Sequence, residues 1–182
     1  MCDKRSGEQN HGAVIWLTGV PAAGKSTIAS LVQARLVEMG LPVENLDADA
    51  VRANLSPNLG YTEEARDENT KRLAWMAQML SKYGVNVLVA AVSPLRKYRD
   101  RAREWCPHFI EVMVECPLES CKQRDPKGLY ARAERGEISD IAGWHMPFEP
   151  PDNPEVHVNT TALSAAEAAE QVIATAQQLG YV

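Results

Sequence analysis

The chain has 182 residues, 45% of them hydrophobic and 24% charged, with a formal net charge of −5. That length suits one compact domain whose core needs no disulfide or metal staple, and the composition excludes disordered, collagen-like and coiled-coil chains. The acidic balance argues against a broad nucleic-acid-binding surface while allowing a local basic pocket for a small anion. Residues 1–12 are polar and lack the apolar core of a signal peptide, so they are expected to form a loose tail. The longest apolar run, around residues 85–92, is far shorter than the roughly 20 residues that span a bilayer. No membrane segment and a cytoplasmic location are therefore expected. Cys2, Cys106, Cys116 and Cys121 form neither a CxxC pair nor a Cys/His zinc pattern, which suits free thiols in a reducing cytosol.

Residues 13–18 (AVIWLT) are a short apolar run ending at Gly19, the pattern of a buried strand. A helix over residues 25–39 follows, with Ile28, Leu31, Val32 and Leu36 on one face and Gly40 closing it. A second strand, residues 42–47, ends at Asp47. A long helix over residues 62–83 is closed by Gly84, and residues 85–92 (VNVLVAAV) read as a buried, β-branched strand. A helix over residues 95–105 and a strand over residues 109–115 continue the alternation. Ser164 and Glu167 have capping-box spacing and open a last helix that Gly180 ends. Strands alternating with helices predict an α/β fold: a parallel sheet covered by helices on both faces, forming one domain over residues 13–182. Residues 125–149 break the alternation, being charged and glycine-containing with only a short helical stretch near residues 129–134. A long irregular segment of this kind predicts a functional lid.

Gly19-Val20-Pro21-Ala22-Ala23-Gly24-Lys25-Ser26 fits G-x-x-x-x-G-K-[ST] between a strand and a helix, with Thr27 beside it. Glycines let the backbone curl so that its N–H groups point at phosphate oxygens, and the helix N-terminus adds positive potential. Lys25 can then reach the β- and γ-phosphates of a nucleoside triphosphate, and the Ser26 hydroxyl is placed for Mg²⁺. On the other side, Asp47 and Asp49 stand at the carboxyl edge of the sheet, where open α/β sheets bind ligands. Two residues apart on an extended segment, both can project to one side. One would organise Mg²⁺ and the other accept a proton from an attacking hydroxyl; the plainer reading makes Asp47 a helix cap and Asp49 a solvated charge. Arg66, Asn69 and Lys71–Arg72 lie at helical spacings that could aim donors at one anion, although acidic neighbours also fit a solvated face. Trp16 and Trp75 read as core residues. The four histidines show no ligand spacing.

These residues, taken with GVPAAGKST, LDADAVR, LGYTEEARDEN, VSPLR, CKQRDPKGLYARAERGEI and PFEPPDNPE in that order, resemble the adenylylsulfate kinase family. The likeness runs over residues 13–158 and is most specific in RDPKGLY and the proline-rich stretch before Glu155. It implies the P-loop NTPase fold and transfer of the ATP γ-phosphate to the 3′-hydroxyl of adenosine 5′-phosphosulfate. Mg²⁺, held by Ser26 and Asp49, is the implied metal. By resemblance Asp49 is the catalytic carboxylate, supported by Asp47, with Lys25 and Lys127 completing the catalytic set. Gly19, Ala22, Ala23, Gly24, Lys25, Ser26, Thr27 and Arg124 bind ATP. Arg52, Arg66 and Asn69 hold phosphosulfate and ribose, Tyr61 and Ile141 flank the acceptor adenine, and Val92, Ser93, Lys127 and Leu129 complete that site. A homodimer and a functional link to an ATP sulfurylase are implied in the same way.

Ala22 stands where the family usually has glycine, Ala48 and Ala65 replace a glycine and an aspartate, and Leu95 replaces a tyrosine. Ile141 replaces a stacking phenylalanine, which forfeits roughly 0.5–1.5 kcal/mol unless Trp144 compensates. Two alternatives stay open on the residues alone. One is a divergent kinase acting on another nucleotide 5′-anhydride. The other is a silent nucleotide-binding partner of a sulfurylase.

Overall fold

The computed structural model describes residues 11–182, so Cys2 and most of the expected tail lie outside the described residues. Strand β1 (Val14–Thr18) is buried throughout and lies at the centre of a five-stranded sheet. Its alternating side chains divide the core: Ile15 and Leu17 pack on one face, Val14 and Trp16 on the other. The remaining strands are β2 (Val43–Asp47), β3 (Asn86–Ala90), β4 (Phe109–Glu115) and β5 (Val156–Asn159), in the order β2-β3-β1-β4-β5. Every pairing is parallel.

Helices α1 (Lys25–Glu38) and α7 (Ala165–Gln178) cover the Ile15/Leu17 face, and α3 (Glu63–Ser81) and α4 (Arg96–Trp105) cover the Val14/Trp16 face. The expected capping box is formed, Ser164 and Glu167 bonding each other's backbone N–H groups. Thr62 caps α3 by accepting from Ala65 N. The α/β fold class and its parallel, two-faced sheet are therefore as expected, and no helix among the described residues is long and apolar enough to cross a membrane.

Two elements escape the sequence reading, α5 (Leu118–Arg124) and β5, and α2 (Ala48–Leu55) enters it only as the helix that Asp47 would cap. Each is short, so a periodic pattern has little length in which to show. Helix α6 (Leu129–Glu134) is the one regular piece between α5 and β5. Two expectations need correction. Gly12 is not loose: its N–H donates to Ser81 O at 2.8 Å, and a Cβ there would lie 2.1 Å from Val85 O. Trp75 is 56% exposed on α3 and not part of the core, because Leu73, Ala74 and Ala77 supply that helix's buried stripe.

Candidate active site

The loop after β1 is shaped by its backbone. Gly19 adopts φ 147°, and a Cβ on it would approach Val114 O to 2.3 Å, so only glycine fits. Ala22 sits at φ 60°, a left-handed conformation that explains why glycine is usual at this position. Gly24 (φ 107°) leads into α1 without any side-chain cap, leaving the helix's first N–H groups for an anion. Lys25 is only 9% exposed; its ammonium donates to Gly19 O (2.9 Å) and Val20 O (2.8 Å). Burial lowers its pKa to about 8, against the opposing pull of Cys121, Asp49 and Asp47. Thr160, just after β5, ties this loop to its surroundings: Oγ1 donates to Ala23 O (3.0 Å) and accepts from Arg124 (2.8 Å).

Asp47 and Asp49 do not share an extended segment. Asp47 ends β2 and caps α2, accepting from Asp49 N (3.0 Å) and Ala50 N (3.3 Å), whereas Asp49 lies in the first helical turn. The capping reading of Asp47 is thus correct, yet its second oxygen also accepts from Ser26 Oγ at 3.0 Å. Asp49 is not a free solvated charge, because its carboxylate is bonded by Lys127. That bond raises the Lys127 pKa and keeps the ammonium charged.

Arg52 donates to Leu59 O (3.2 Å) and Gly60 O (2.7 Å) and lies over the Tyr61 ring, 4.6 Å from its centroid. Arg66 donates to Tyr61 O (2.8 Å) and across the cleft to Asp140 O (2.7 Å). Burial lowers the Arg66 pKa while Asp140 opposes the shift. Asn69 is buried, and its Oδ1 has no hydrogen-bond partner among the described residues. An orphaned acceptor of this kind is costly unless a ligand satisfies it. Lys71 and Arg72 do not join this group: Arg72 bonds Glu68, Leu55 O and Ser56, and neither residue lines the cleft. Ser93 is buried at φ 42°, its Oγ accepting from the Trp16 indole at 3.1 Å.

These parts line one cleft of about 1180 Å³, more than the roughly 300–1,000 Å³ of a single-ligand pocket. Ala22, Gly24, Lys25, Ser26, Thr27 and Arg124 line its floor and one rim. Asp47, Asp49, Arg52, Tyr61, Arg66, Asn69, Val92, Ser93, Lys127, Leu129 and Ile141 line the rest. Gly19 and Ala23 lie behind the lining and act through their backbone carbonyls, which accept from Lys25 and Thr160. Trp144 does not compensate for Ile141. It stacks on Tyr130 and His145 outside the lining, 4.2 Å from Lys122 Nζ.

Sequence reasoning missed Thr160 and Asp140. Thr160 follows the unrecognised β5, and Asp140 meets Arg66 through its carbonyl (2.7 Å) and, more loosely, its carboxylate (3.7 Å), a pairing 74 residues apart that no local spacing reveals. Tyr130, in the RDPKGLY stretch, donates its hydroxyl to Pro21 O (3.0 Å) and so ties α6 to the phosphate loop. No cluster of three metal-ligating His, Cys, Asp or Glu side chains exists among the described residues. Ser26 and the carboxylates of Asp47 and Asp49 form an all-oxygen set with few protein ligands. That set suits Mg²⁺, which keeps waters and substrate phosphate oxygens in its shell.

The adenylylsulphate kinase family profile matches residues 11–159. Among curated relatives, an adenylyl-sulfate kinase of Microcystis aeruginosa is 44% identical over 174 residues, covering 96% of either chain. A probable adenylyl-sulfate kinase of Pyrococcus abyssi is 45% identical over 171 residues, covering 94% of this chain and 98% of its own. The solved structure of the Mycobacterium tuberculosis APS kinase CysC in complex with AMPPNP and APS superposes with a TM-score of 0.88 at 38% identity. It covers 92% of this chain and 98% of that one. A phosphate loop, an aspartate beside it and one large cleft thus occur within a match of nearly full length: the chain belongs to the adenylylsulphate kinase family.

Proposed function

We propose that the chain transfers the γ-phosphoryl group of ATP to the 3′-hydroxyl of adenosine 5′-phosphosulfate, giving 3′-phosphoadenosine 5′-phosphosulfate. One observation carries this reading: a single cleft joins an uncapped helix N-terminus with Lys25 to a carboxylate, Asp49, and an arginine-lined wall. The α1 N–H groups and Lys25 would hold the β- and γ-phosphates, with Arg124 and Thr160 beside the ATP base. Mg²⁺, held through Ser26 with Asp47 and Asp49 near it, would neutralise phosphate charge.

Arg52 and Arg66 are already oriented by backbone carbonyls, which lowers the entropy lost when they bind phosphosulfate. The unpaired Asn69 Oδ1 would accept from a ribose hydroxyl, and Tyr61 and Ile141 would take the two faces of adenine. Asp49 would accept the 3′-hydroxyl proton. For that, the Lys127 ammonium must move from the carboxylate to the phosphoryl oxygens, where charge develops in the transition state. We infer that residues 125–149 close as a lid during this exchange, excluding water that would otherwise take the phosphoryl group.

ADP release measured with ATP and adenylylsulfate, set against other nucleotides carrying a 5′-anhydride, tests the reading. Turnover with adenylylsulfate in clear preference is expected. Equal turnover with another anhydride would favour the divergent kinase, and acceptor binding without turnover would favour the silent module. From the family resemblance we also infer a homodimer and supply of the substrate by an ATP sulfurylase. Light scattering that returns the mass of one chain would overturn the dimer.

A further inference from the structure

One buried charge lies outside every role assigned so far. Arg99 on α4 is 1% exposed, yet its guanidinium reaches three separate segments. Nη1 donates to Ser93 O (2.5 Å), Nη2 to Glu149 O (2.6 Å) and Nε to Glu111 Oε1 (2.6 Å) on β4. Glu111 is itself buried, with its side chain 8% exposed, and its other oxygen accepts from Arg103 (3.1 Å). Arg103 in turn holds Glu155, immediately before β5. The segment that returns from the irregular region to β5 is therefore fastened at both ends by arginines sharing one glutamate.

The first of these fastenings is a clasp with several bonds. Glu149 N donates to Pro94 O (2.8 Å), and Arg96 N donates to Glu149 Oε2 (2.8 Å), so the Glu149 carboxylate caps α4, which has no other side-chain cap. Arg96 Nε donates to Pro150 O (2.9 Å). One side of the clasp carries Val92, Ser93 and Pro94, which line the cleft; the other is the chain that leads back to Ile141 and Ala142, which also line it. Ser93 is held at φ 42°, a conformation a serine keeps only when its surroundings over-determine it. The bonds to its carbonyl from Arg99 and to its hydroxyl from Trp16 supply that constraint. No bond of this network reaches Lys25, Ser26, Arg124 or Thr160.

We propose that Arg99 is a positioning residue for the acceptor half of the cleft: through the Glu149 clasp it anchors the C-terminal end of the 125–149 lid to the Ser93 wall, so that Ile141 closes at a defined separation from that wall. The effect rests on the kinase reading above and predicts a loss confined to one substrate. Arg99→Lys keeps the charge but cannot serve all three acceptors in the fixed geometry of a guanidinium. It should raise the KM for adenylylsulfate about tenfold, as expected when walls are misplaced by a fraction of an ångström to an ångström. The KM for ATP should stay unchanged.

Because substitution at a buried arginine can unfold a protein, Glu149 provides the second arm. It is exposed, so Glu149→Ala removes the α4 cap from the clasp without disturbing the core. Glu149→Ala should raise the adenylylsulfate KM and leave the ATP KM and the far-UV spectrum unchanged. Glu149→Gln, which keeps an oxygen for Arg96 N, should restore the wild-type value. An unchanged adenylylsulfate KM in Glu149→Ala, or equal losses for both substrates, would overturn the assignment. A wild-type enzyme inactive on adenylylsulfate in the same assay would instead defeat the kinase reading, so the two failures are distinguishable.

Discussion

The two halves of the cleft are built by different means. The donor half is mostly backbone: glycine conformations at Gly19 and Gly24, an uncapped helix start, and one lysine held by two carbonyls of its own loop. Those parts fall within a few consecutive residues, and Arg124 and Thr160 reach them from elsewhere in the chain. The acceptor half is mostly side chains drawn from distant segments, each bonded to another: Arg52 to the 59–60 carbonyls, Arg66 to Asp140, Lys127 to Asp49. A backbone-built site tolerates little variation in its glycines but is robust to its surroundings. A side-chain-built site can be retuned one residue at a time, which is how Ile141 can stand where the family usually has phenylalanine.

The largest test of this contrast is Asp49→Ala. Removing the proposed base should lower kcat by roughly 10²–10⁴-fold while binding of a non-hydrolysable ATP analogue is kept, as titration calorimetry would report. Full activity in this variant would defeat the catalytic assignment. Lys25→Met should act in the reverse sense. Loss of one pre-oriented charge on the phosphates should lower kcat by about 10²–10³-fold and weaken the ATP analogue, with adenylylsulfate binding retained. If both variants lost both ligands equally, the two halves would not be separable.

The same contrast explains what could be read from sequence. The donor loop was legible because its chemistry is local: spacing, strand before and helix after are all contiguous. Asp49, Arg52, Arg66 and Asn69 were visible as candidates, but composition alone could not separate them from a solvated face, and the family resemblance supplied their roles. The capping by Asp47 was legible only as an alternative, since nothing in D-A-D shows that helix α2 begins between the two carboxylates. Trp75 was misread because α3 buries alanine and leucine in place of its largest side chain. Arg99 and Thr160 left no signal: Arg99 donates to the Glu111 carboxylate and the Glu149 carbonyl, and Thr160 is held by Ala23 O and the Arg124 guanidinium, partners set by the fold and not by local spacing.

A pH series separates the halves more gently. Burial brings Lys25 down to about 8 from the ordinary lysine value of 10.5. Between those values the unfolded chain holds a proton that the folded chain has released, so stability from this group rises with pH across that window. Affinity for ATP should fall over the same range, because the phosphates lose the ammonium. Thermal melts and ATP-analogue titrations from pH 7 to pH 10 should therefore move in opposite directions, and Lys25→Met should lack both trends. Buried Cys106 is likewise pushed up to about 12, so this thiol should stay unalkylated in the native protein throughout. Smaller still is Ile141→Phe. Restored stacking of roughly 0.5–1.5 kcal/mol should tighten adenylylsulfate about twofold to about thirteenfold, with the ATP KM unchanged. Weaker acceptor binding would mean that Ile141 does not face the base.

The smallest effects discriminate best, because the same substitution can be made in both halves. Ala22 (φ 60°) and Ser93 (φ 42°) are non-glycine residues held in the left-handed φ range, one in each half of the cleft. At Ala22 glycine should remove about 1–2 kcal/mol of left-handed strain and cost about 0.4–1 kcal/mol through a more flexible unfolded chain. The balance is a gain of about 0 to 1.6 kcal/mol, seen as an unchanged Tm or a rise of a few degrees, with activity retained. Ser93→Gly relieves comparable strain but deletes the oxygen that accepts the Trp16 indole N–H. A buried donor left without a partner costs about 1–3 kcal/mol, so this variant should melt lower than wild type and bind adenylylsulfate more weakly. Opposite signs for one substitution, at two residues of the same backbone class, are what a backbone-built half and a side-chain-built half require. Equal signs would mean that the two walls of the cleft are held by the same forces after all.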